Sequence, residues 1–316
     1  MEHAEDSLVE DAKQVMRGVC MGGADIVPGV SGGTVALILG IYERLVTAIS
    51  HVDLTLLAAV RERRIADAAR HIDLRFLIAL VAGIGIGVLS LAGLMHHLLE
   101  HEMPSTFGAF FGLILASTLV VARMIENWNP TTVIAAIAGA IFAFWLTGQV
   151  PVVASPSVFY IFFSGMIAIC AMILPGISGS FILLILGMYY HVTGVLKGLG
   201  GGELTGEGIT TLLAFGAGAL VGILTFSKIL KVLLEKAQSL TMAVLCGFMF
   251  GSLRKIWPFK VEDSTTVMKE FKEKIFLNVA PWEAPGSVWF PILFAVLGFA
   301  LVMLLDRFAA GRGKAA

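Results

Sequence analysis

The chain contains the same interrupted apolar segment twice. Residues 28–42 read PGVSGGTVALILGIY and residues 175–189 read PGISGSFILLILGMY, with nine of the fifteen positions identical at an offset of 147. In each copy a Pro-Gly-x-Ser-Gly sequence interrupts an apolar run. Paired interruptions in two corresponding halves of a membrane protein are the best sequence indicator of a transporter's substrate site.

The composition places the chain in a lipid bilayer. Of its 316 residues 57% are hydrophobic and 14% are charged, and the mean hydropathy is +0.89, whereas a soluble domain carries about 25% charged residues. The net charge of -1 gives no basic field that would attract nucleic acid. Several segments without Asp, Glu, Lys or Arg come near the roughly 20 residues that a membrane span needs, namely 76–95, 103–122, 131–148, 208–227, 237–253 and 287–305.

Residues 13–50 and 157–196, which hold the two interruptions, predict re-entrant helical hairpins. A straight helix of about 40 residues would be about 60 Å long, twice the thickness of the hydrocarbon core. In the second region we expect two arms of about 14–18 residues joined at PGISGS. The reason is that Pro175 cannot donate to the helix ladder and the glycines allow a sharp turn.

The similarity continues beyond the hairpins at an offset of 135, from Leu77 to Ser117 in the first half. We therefore predict a single membrane domain over 1–316 with repeat units at 13–148 and 157–306, each with one hairpin and three spans. Three spans is an odd number, so hairpins that return to their own side require the second unit to be inverted. With both termini in the cytoplasm, 15 of the 22 Lys and Arg residues fall on the cytoplasmic side, as the positive-inside rule expects. The predicted fold class is an all-α membrane protein with an inverted-topology repeat.

The two interruptions are predicted to form an anion site. Ser31 and Ser178 each precede a helical apolar run and are expected to cap it. The first backbone N–H groups of such helices lack intrahelical partners and favour an anion, and inversion would bring the two interruptions together near the midplane. The alternative is that each interruption only makes a kink or a tight packing contact. The candidate phosphate-binding residues are Ser31, Gly32, Gly33, Thr34, Ser178, Gly179 and Ser180.

Asp25 is the candidate for coupling transport to an ion. Carboxylates inside a membrane are costly and usually functional, so Asp25 is expected to relay a proton, to bind a cation such as sodium or to pair with a base. Its alternative role is to cap the turn or to form a salt bridge there, and its counterpart in the second unit is Met172. Tyr42, Glu43 and Tyr189 are further coupling or gating candidates, with an interfacial anchor as the alternative for Glu43.

Arg254 is a candidate basic contact for the phosphate. It closes the segment 247–259, and a guanidinium grips phosphate with two parallel hydrogen bonds. The alternative is an interfacial belt of basic and aromatic residues with Trp257. The following segment 260–286 mixes charges without a motif, and we expect a solvated external segment or a surface helix there.

The sequence lacks the motifs that would indicate several other kinds of chemistry. No Walker loop, zincin motif or nucleophile elbow is present, so neither ATP-driven transport nor a bound cofactor is predicted. His97 and His101 have i,i+4 spacing, but the pattern fixes no third ligand, and no metal site is predicted.

At GGADIVPGVSGGTVALILGIYERL, ILPGISGSFILLILGMYY and FGSLRKIWPF, the sequence resembles a bacterial membrane family associated with PopT-type translocases of undecaprenyl phosphate. The resemblance covers nearly the whole chain. It implies a multi-pass protein of the cytoplasmic membrane whose partners are undecaprenyl phosphate and membrane lipid, with a homo-oligomer left open. Such a protein returns the phosphate headgroup of the carrier lipid from the outer to the inner leaflet, for reuse in peptidoglycan and other surface polymers.

Two other functions remain open from the residues alone. An intramembrane polyprenyl-pyrophosphate phosphatase would need an acid, base or nucleophile beside basic residues, and the interruptions offer serines and one carboxylate but no His or Arg. A small-anion transporter or channel would use the same anion site without a lipid. We predict a transporter of the lipid phosphate and no enzymatic activity.

Overall fold

The computed structural model is almost entirely helical over the residues it describes, which are 2–27, 30–149, 152, 156–200, 205–264 and 276–313. Pro28 and Gly29 of the first interruption lie outside these residues. The elements in chain order are α1 (Glu2–Asp25), α2 (Gly32–Ile38), α3 (Tyr42–Ser50), α4 (Leu54–Arg61), α5 (Ile65–His71), α6 (Leu74–His101), α7 (Met103–Met124), α8 (Pro130–Leu146), α9 (Val158–Ile173), α10 (Gly179–Ile185), α11 (Tyr189–Gly200), α12 (Gly206–Lys236), α13 (Gln238–Ser252), β1 (Lys260–Glu262), β2 (Phe276–Asn278) and α14 (Trp289–Gly313).

The prediction of an all-α membrane protein is confirmed. Among the described residues α6, α7, α12 and α14 are long and apolar enough to cross a membrane, and two bent helix pairs would bring the number of spans to six. Large apolar side chains such as Leu89, Phe159 and Leu213 are mostly exposed on the helices. Apolar surface of this extent is stable against lipid and not against water.

The chain divides into two compact units, which differ from the predicted repeats. Unit 1 contains residues 1–89 and 149–241, and unit 2 contains residues 90–148 and 242–316. The hairpins of both predicted repeats therefore lie in unit 1. The last two helices of each repeat lie largely in unit 2; these are α7 and α8 in the first repeat and α13 and α14 in the second. The two interruptions thus belong to the same compact unit.

Both hairpins have a second bend that the sequence analysis missed. The pair α2 and α3 is bent by 117°, and the pair α10 and α11 by 116°. Gly40 (φ 68°) and Gly187 (φ 67°) occupy the left-handed region at these bends, which only glycine adopts without strain. The expectation of one unbroken second arm of about 14–18 residues is therefore wrong, because the helix ends after seven residues in both copies.

The same hydrogen bonds close both short helices. Ile41 N–H donates to Ala36 O at 3.0 Å, and Met188 N–H donates to Leu183 O at 2.9 Å. Together with the left-handed glycines, these bonds form the Schellman motif that commonly ends a helix. The repeat in the sequence is thus a repeat of backbone structure.

Glycines bring helices into close contact within each unit. In unit 1 the backbone of Gly218 on α12 lies against Phe162 O of α9, and in unit 2 the backbone of Gly112 on α7 lies against Ala295 O of α14. Gly108 lies against Pro291 O in the same way, so α7 and α14 run parallel. Contact between backbones is the packing mode that membrane helices use when no hydrophobic effect separates helix from lipid.

The segment 260–286, for which the sequence predicted a solvated external segment or a surface helix, contains two short strands at its described positions, and residues 265–275 lie outside the described residues. Residues 260–262 and 276–278 pair as an antiparallel two-stranded ribbon, with Lys260 opposite Asn278. Phe276 and Val261 supply strand-forming residues, but three-residue strands are too short to give a clear alternating pattern.

Replacing Gly218 by alanine is expected to destabilise the protein, because the added methyl group would collide with Phe162 O. Overpacking of this kind typically costs about 1–3 kcal/mol. Gly216 has open space around it, so Gly216→Ala is the matched control and should be neutral or slightly stabilising. Thermal unfolding of the purified variants in detergent measures the effect, and equal midpoints for the two variants would contradict this packing.

Candidate functional site

The two interruptions meet in unit 1. We call residues 26–34 tip 1 and residues 174–180 tip 2. Gly176 N–H of tip 2 donates to Thr34 Oγ1 of tip 1 at 2.8 Å, and Ser31 Oγ donates to Met172 O at 3.4 Å. Gly33 permits this contact, because a Cβ there would lie 2.7 Å from Ile173 O.

In tip 1 the backbone N–H groups of Gly32 and Gly33 donate to side-chain oxygens of the same chain. Ser31 caps α2 as predicted, since its Oγ accepts from Gly33 N–H at 3.1 Å. Asp25 Oδ1 accepts from Gly32 N–H at 2.6 Å, which is the capping role that the sequence analysis gave as the alternative. A Cβ on Gly32 would lie 2.6 Å from Asp25 Oδ2, so glycine is needed there to admit the carboxylate.

Tip 2 is arranged differently. Ser178 is the N-cap of α10 by backbone position, but its hydroxyl makes no cap hydrogen bond and lies 2.8 Å from Ser180 Oγ. Within the described part of the chain, the N–H groups of Gly179 and Ser180 have no acceptor. Ser180 is exposed, whereas Gly179 packs against Ala168 O of α9. In the described residues tip 2 therefore keeps the first two N–H groups of its helix open, whereas the corresponding groups of Gly32 and Gly33 in tip 1 are bonded.

Helix α12 contacts both hairpins along its length. Near its start Thr211 Oγ1 lies 3.2 Å from Nε2 of His191 on α11, and near its end Lys231 Nζ lies 2.9 Å from Nε2 of His51 beyond α3. Between these contacts, Gly222 packs against α9 about one turn before tip 2. Thr211 and Lys231 are 20 residues apart, which is roughly 30 Å along a helix. The ends of the two hairpins remote from the tips, which we call their bases, thus contact opposite ends of α12.

The predicted gating residues lie beside the bends and not at the tips. Tyr42 is 2% exposed, and its hydroxyl has no hydrogen-bond partner among the described residues. Glu43 is exposed and accepts a hydrogen bond from Gln238 at 3.1 Å. Tyr189 packs edge-on against Tyr190, with ring centroids 5.3 Å apart. The backbone atoms of Met172 and Gly176, which no side-chain pattern identifies, take part in the tip contact instead.

Arg254 belongs to unit 2, where its guanidinium caps a helix. Nη1 donates to Phe144 O in the last turn of α8 at 2.9 Å, and the guanidinium lies 4.5 Å from the centroid of the Phe144 ring. A cation at a helix C-terminus is favoured by the helix dipole. Asn278 Nδ2 donates to the carbonyl of Arg254 at 2.7 Å, which ties the arginine to the two-stranded ribbon.

Two further lysines near Arg254 are half-buried. Lys260 Nζ donates to Lys255 O at 3.0 Å and to Asn278 Oδ1 at 2.7 Å, both uncharged acceptors. Burial lowers the pKa of the Lys255 ammonium to about 8. Burial, together with the charge of Lys255, lowers the pKa of Lys260 to about 7.

The lowered pKa of Lys260 predicts a pH dependence of stability. Because the pKa of Lys260 is about 7 in the folded protein and 10.5 in an exposed chain, the unfolded state binds more protons between these values. The free energy of unfolding should therefore rise with pH over this window, and the penalty is fully present below pH 7. Lys260→Met should flatten this rise, whereas Lys228→Met, at an exposed site, should not. Unfolding titrations in detergent from pH 6 to pH 10 measure the slopes, and equal slopes in all three proteins would contradict the assignment.

No metal site accompanies these groups in the part of the chain that the structure describes. No cluster of three or more His, Cys, Asp and Glu side chains there is suited to hold an ion. The donors available at the tips are N–H and O–H groups, which suit an anion and not a cation.

Comparison with known proteins supports the same chemistry. A polyprenyl-phosphate transporter of Vibrio cholerae serotype O1 is 41% identical over 303 residues, covering 93% of this chain and 96% of that protein. A polyprenyl-phosphate transporter of Staphylococcus aureus is 33% identical over 258 residues, covering 77% of this chain and 85% of that protein. No solved structure matches the chain.

A family model described as VCA0040-like, undecaprenyl phosphate translocase-like matches residues 21–274. This match and the two relatives confirm the resemblance seen in the motifs, and their names agree with the prediction of a transporter and not an enzyme. The apolar helices likewise agree with a multi-pass membrane protein. The chain therefore belongs to the VCA0040-like family of undecaprenyl phosphate translocase-like proteins.

Proposed function

We propose that this protein is a flippase that returns undecaprenyl phosphate from the outer to the inner leaflet of the bacterial cytoplasmic membrane. The observation that carries the proposal is the contact between two donor-rich tips in a chain whose relatives are named polyprenyl-phosphate transporters. Only the phosphate headgroup needs a polar path, because the prenyl chain can stay in lipid. The returned carrier is then available for the synthesis of cell-envelope polymers.

The contacts of α12 support hairpins that enter from opposite faces of the membrane. The bases of the hairpins contact α12 roughly 30 Å apart, which is the thickness of the hydrocarbon core. The parallel packing of α7 and α14 supports the same topology. In a repeat without inversion, α14 would run in the direction of α8 and so antiparallel to α7. The charge distribution then favours cytoplasmic termini.

The phosphate would bind first at tip 2 and then between the separated tips. Gly179 and Ser180 offer backbone N–H groups, and the hydroxyls of Ser178 and Ser180 add donors that are bonded only to each other. In the tip contact the Ser31 hydroxyl donates to Met172 O and Gly176 N–H donates to Thr34 Oγ1, so both of these donors are engaged within the chain. They become available if the tips part, since a dianionic phosphate is a stronger acceptor than a neutral carbonyl or hydroxyl.

Proteoliposomes containing a fluorescent short-chain polyprenyl monophosphate test this function. The wild-type protein should accelerate exchange between leaflets, measured by the access of a membrane-impermeant phosphatase to the lipid. The double variant Ser178→Ala/Ser180→Ala should bind the lipid about tenfold more weakly, since hydrogen bonds to a charged group contribute about 1.5–3 kcal/mol each before other donors compensate.

The control is Thr193→Val, which removes a hydroxyl that bonds only within α11. Its flipping and binding should match those of the wild type. Wild-type proteoliposomes that flip no faster than empty liposomes would refute the function. Normal flipping with unchanged affinity in the double variant would instead move the phosphate away from the hydroxyls of tip 2.

Asp25 would couple this movement to protons. Its carboxylate holds the Gly32 N–H group that a phosphate would otherwise accept, and two anions at one site repel each other. Protonation of Asp25 removes that charge and weakens its hydrogen bond, so that a phosphate can compete for the Gly32 N–H group. A sodium ion beside Asp25 is the alternative coupling ion.

Asp25→Asn is expected to bind the lipid phosphate about tenfold more tightly at neutral pH, because the competing charge is absent. The amide oxygen still accepts from Gly32 N–H, so folding should be preserved. Wild-type affinity should increase as the pH falls, whereas the affinity of the variant should be constant. Isothermal titration with the same monophosphate, with and without sodium, measures this. The same pH dependence in both proteins would exclude Asp25 as the coupling site.

A further inference from the structure

A hydrogen-bonded histidine joins the base of hairpin 1 to α12. His51, directly after α3, has both ring nitrogens engaged: Nδ1 lies 2.7 Å from His71 O, and Nε2 lies 2.9 Å from Lys231 Nζ. The His51 and His71 rings stack with their centroids 4.6 Å apart. The contact therefore links three segments of unit 1 through a single side chain.

The partners fix the protonation state of this ring. A carbonyl oxygen only accepts, so Nδ1 of His51 carries a proton. The Lys231 ammonium only donates, so Nε2 must be unprotonated. The contact with Lys231 thus requires neutral His51, and a proton on Nε2 would place two positive groups 2.9 Å apart.

Among the described residues, the carboxylates near His51 are engaged with partners other than its ring. Each nearby carboxylate has another partner: Asp73 bonds Arg44 at 2.6 Å, Asp53 bonds His71 at 3.1 Å, and Glu43 accepts from Gln238. Glu235 lies 3.8 Å from Lys231, and Arg70 adds a further positive charge. The charged and titratable groups around the ring are Glu43 and Arg44 on α3, Asp53 before α4, Arg70 and His71 on α5, Asp73 before α6, and Lys231 and Glu235 on α12.

A cavity gives protons access to the ring. It has a volume of about 370 Å³ and is lined by Glu43, Arg44, Thr47, His51, Arg70 and His71, among others. Histidine is the side chain that changes charge within the physiological pH range. The cluster lies at the base of hairpin 1, roughly 30 Å along α12 from His191 at the base of hairpin 2.

We propose that His51 is a proton-binding site whose protonation releases the base of hairpin 1 from α12. Neutral His51 holds α3 against α12 through Lys231. Protonated His51 repels Lys231, and the hairpin that carries tip 1 is then held by fewer contacts. The proposal goes beyond lipid transport, and its test needs no lipid substrate.

Amide hydrogen exchange of the purified protein in detergent tests the proposal. The measured quantity is the ratio of the amide protection of residues 42–51 to that of residues 189–196 at the same pH. Taking this ratio cancels the pH dependence of chemical exchange. This ratio should fall about tenfold in the wild type between about pH 8 and about pH 5.5, because the neutral ring is required for the contact. In His51→Gln the ratio should stay constant, because the amide reproduces both hydrogen bonds and does not titrate.

Three further variants make the result decisive. His51→Lys should show low protection at both pH values, and if it fails to fold the glutamine variant still decides. His191→Gln removes the histidine at the opposite end of α12 and should behave as the wild type, as should His71→Gln. A wild-type ratio that does not change with pH, a His51→Gln ratio that changes as in the wild type, or a response that is lost in His71→Gln would each overturn the proposal.

Discussion

The hydrogen bonds between the two tips are the contact on which the rest of this structure depends. Broken helices inside a membrane expose backbone groups that lipid cannot satisfy, and each such group costs several kcal/mol. Here Thr34 accepts from Gly176 N–H, and Ser31 donates to Met172 O, so two hydroxyls of tip 1 satisfy two backbone groups of the second hairpin. This pairing requires both interruptions at the same depth and in the same compact unit. The close glycine contacts of α9 with α12 then hold the second hairpin at that depth.

The pairing is not symmetric, although the sequence repeat that creates it nearly is. Tip 1 is closed by Asp25 and Ser31, whereas tip 2 retains N–H groups without an acceptor in the described residues. A substrate anion therefore meets donors that are free on one side and occupied on the other. The difference has two sources: the counterpart of Asp25 is Met172, and the Ser178 hydroxyl contacts Ser180 and does not cap its helix as Ser31 does. A carboxylate at one tip and a thioether at the other give the two halves different affinities for an anion and for a proton.

Much of this arrangement could be predicted from the sequence, and the exceptions have physical causes. The repeated Pro-Gly-x-Ser-Gly sequence predicted two breaks in helical segments, and the Ser-Gly-Gly pattern predicted the cap at Ser31. The bends at Gly40 and Gly187 were missed because a single glycine inside an apolar run is tolerated in a helix, and only its backbone angle shows that the helix ends. The partner of Asp25 was missed because the hydrogen bond to Gly32 spans seven residues. The ribbon after α13 was missed because three-residue strands carry no periodicity.

The asymmetry extends from the tip to the base of the same hairpin. Asp25 and His51 both lie in the first repeat, and their counterparts at an offset of 147 are Met172 and Gly198, which cannot titrate. In an inverted repeat, the inward-open and outward-open states exchange the conformations of the two halves. With identical halves the two states would have equal energy, and a ligand shifts an equilibrium only by its different affinity for the two states. Asp25 and His51, which have no titratable counterpart at that offset, would make proton binding differ between the states. On the proposal that the repeat is inverted and that protons drive transport, this difference couples proton binding to the position of the tips.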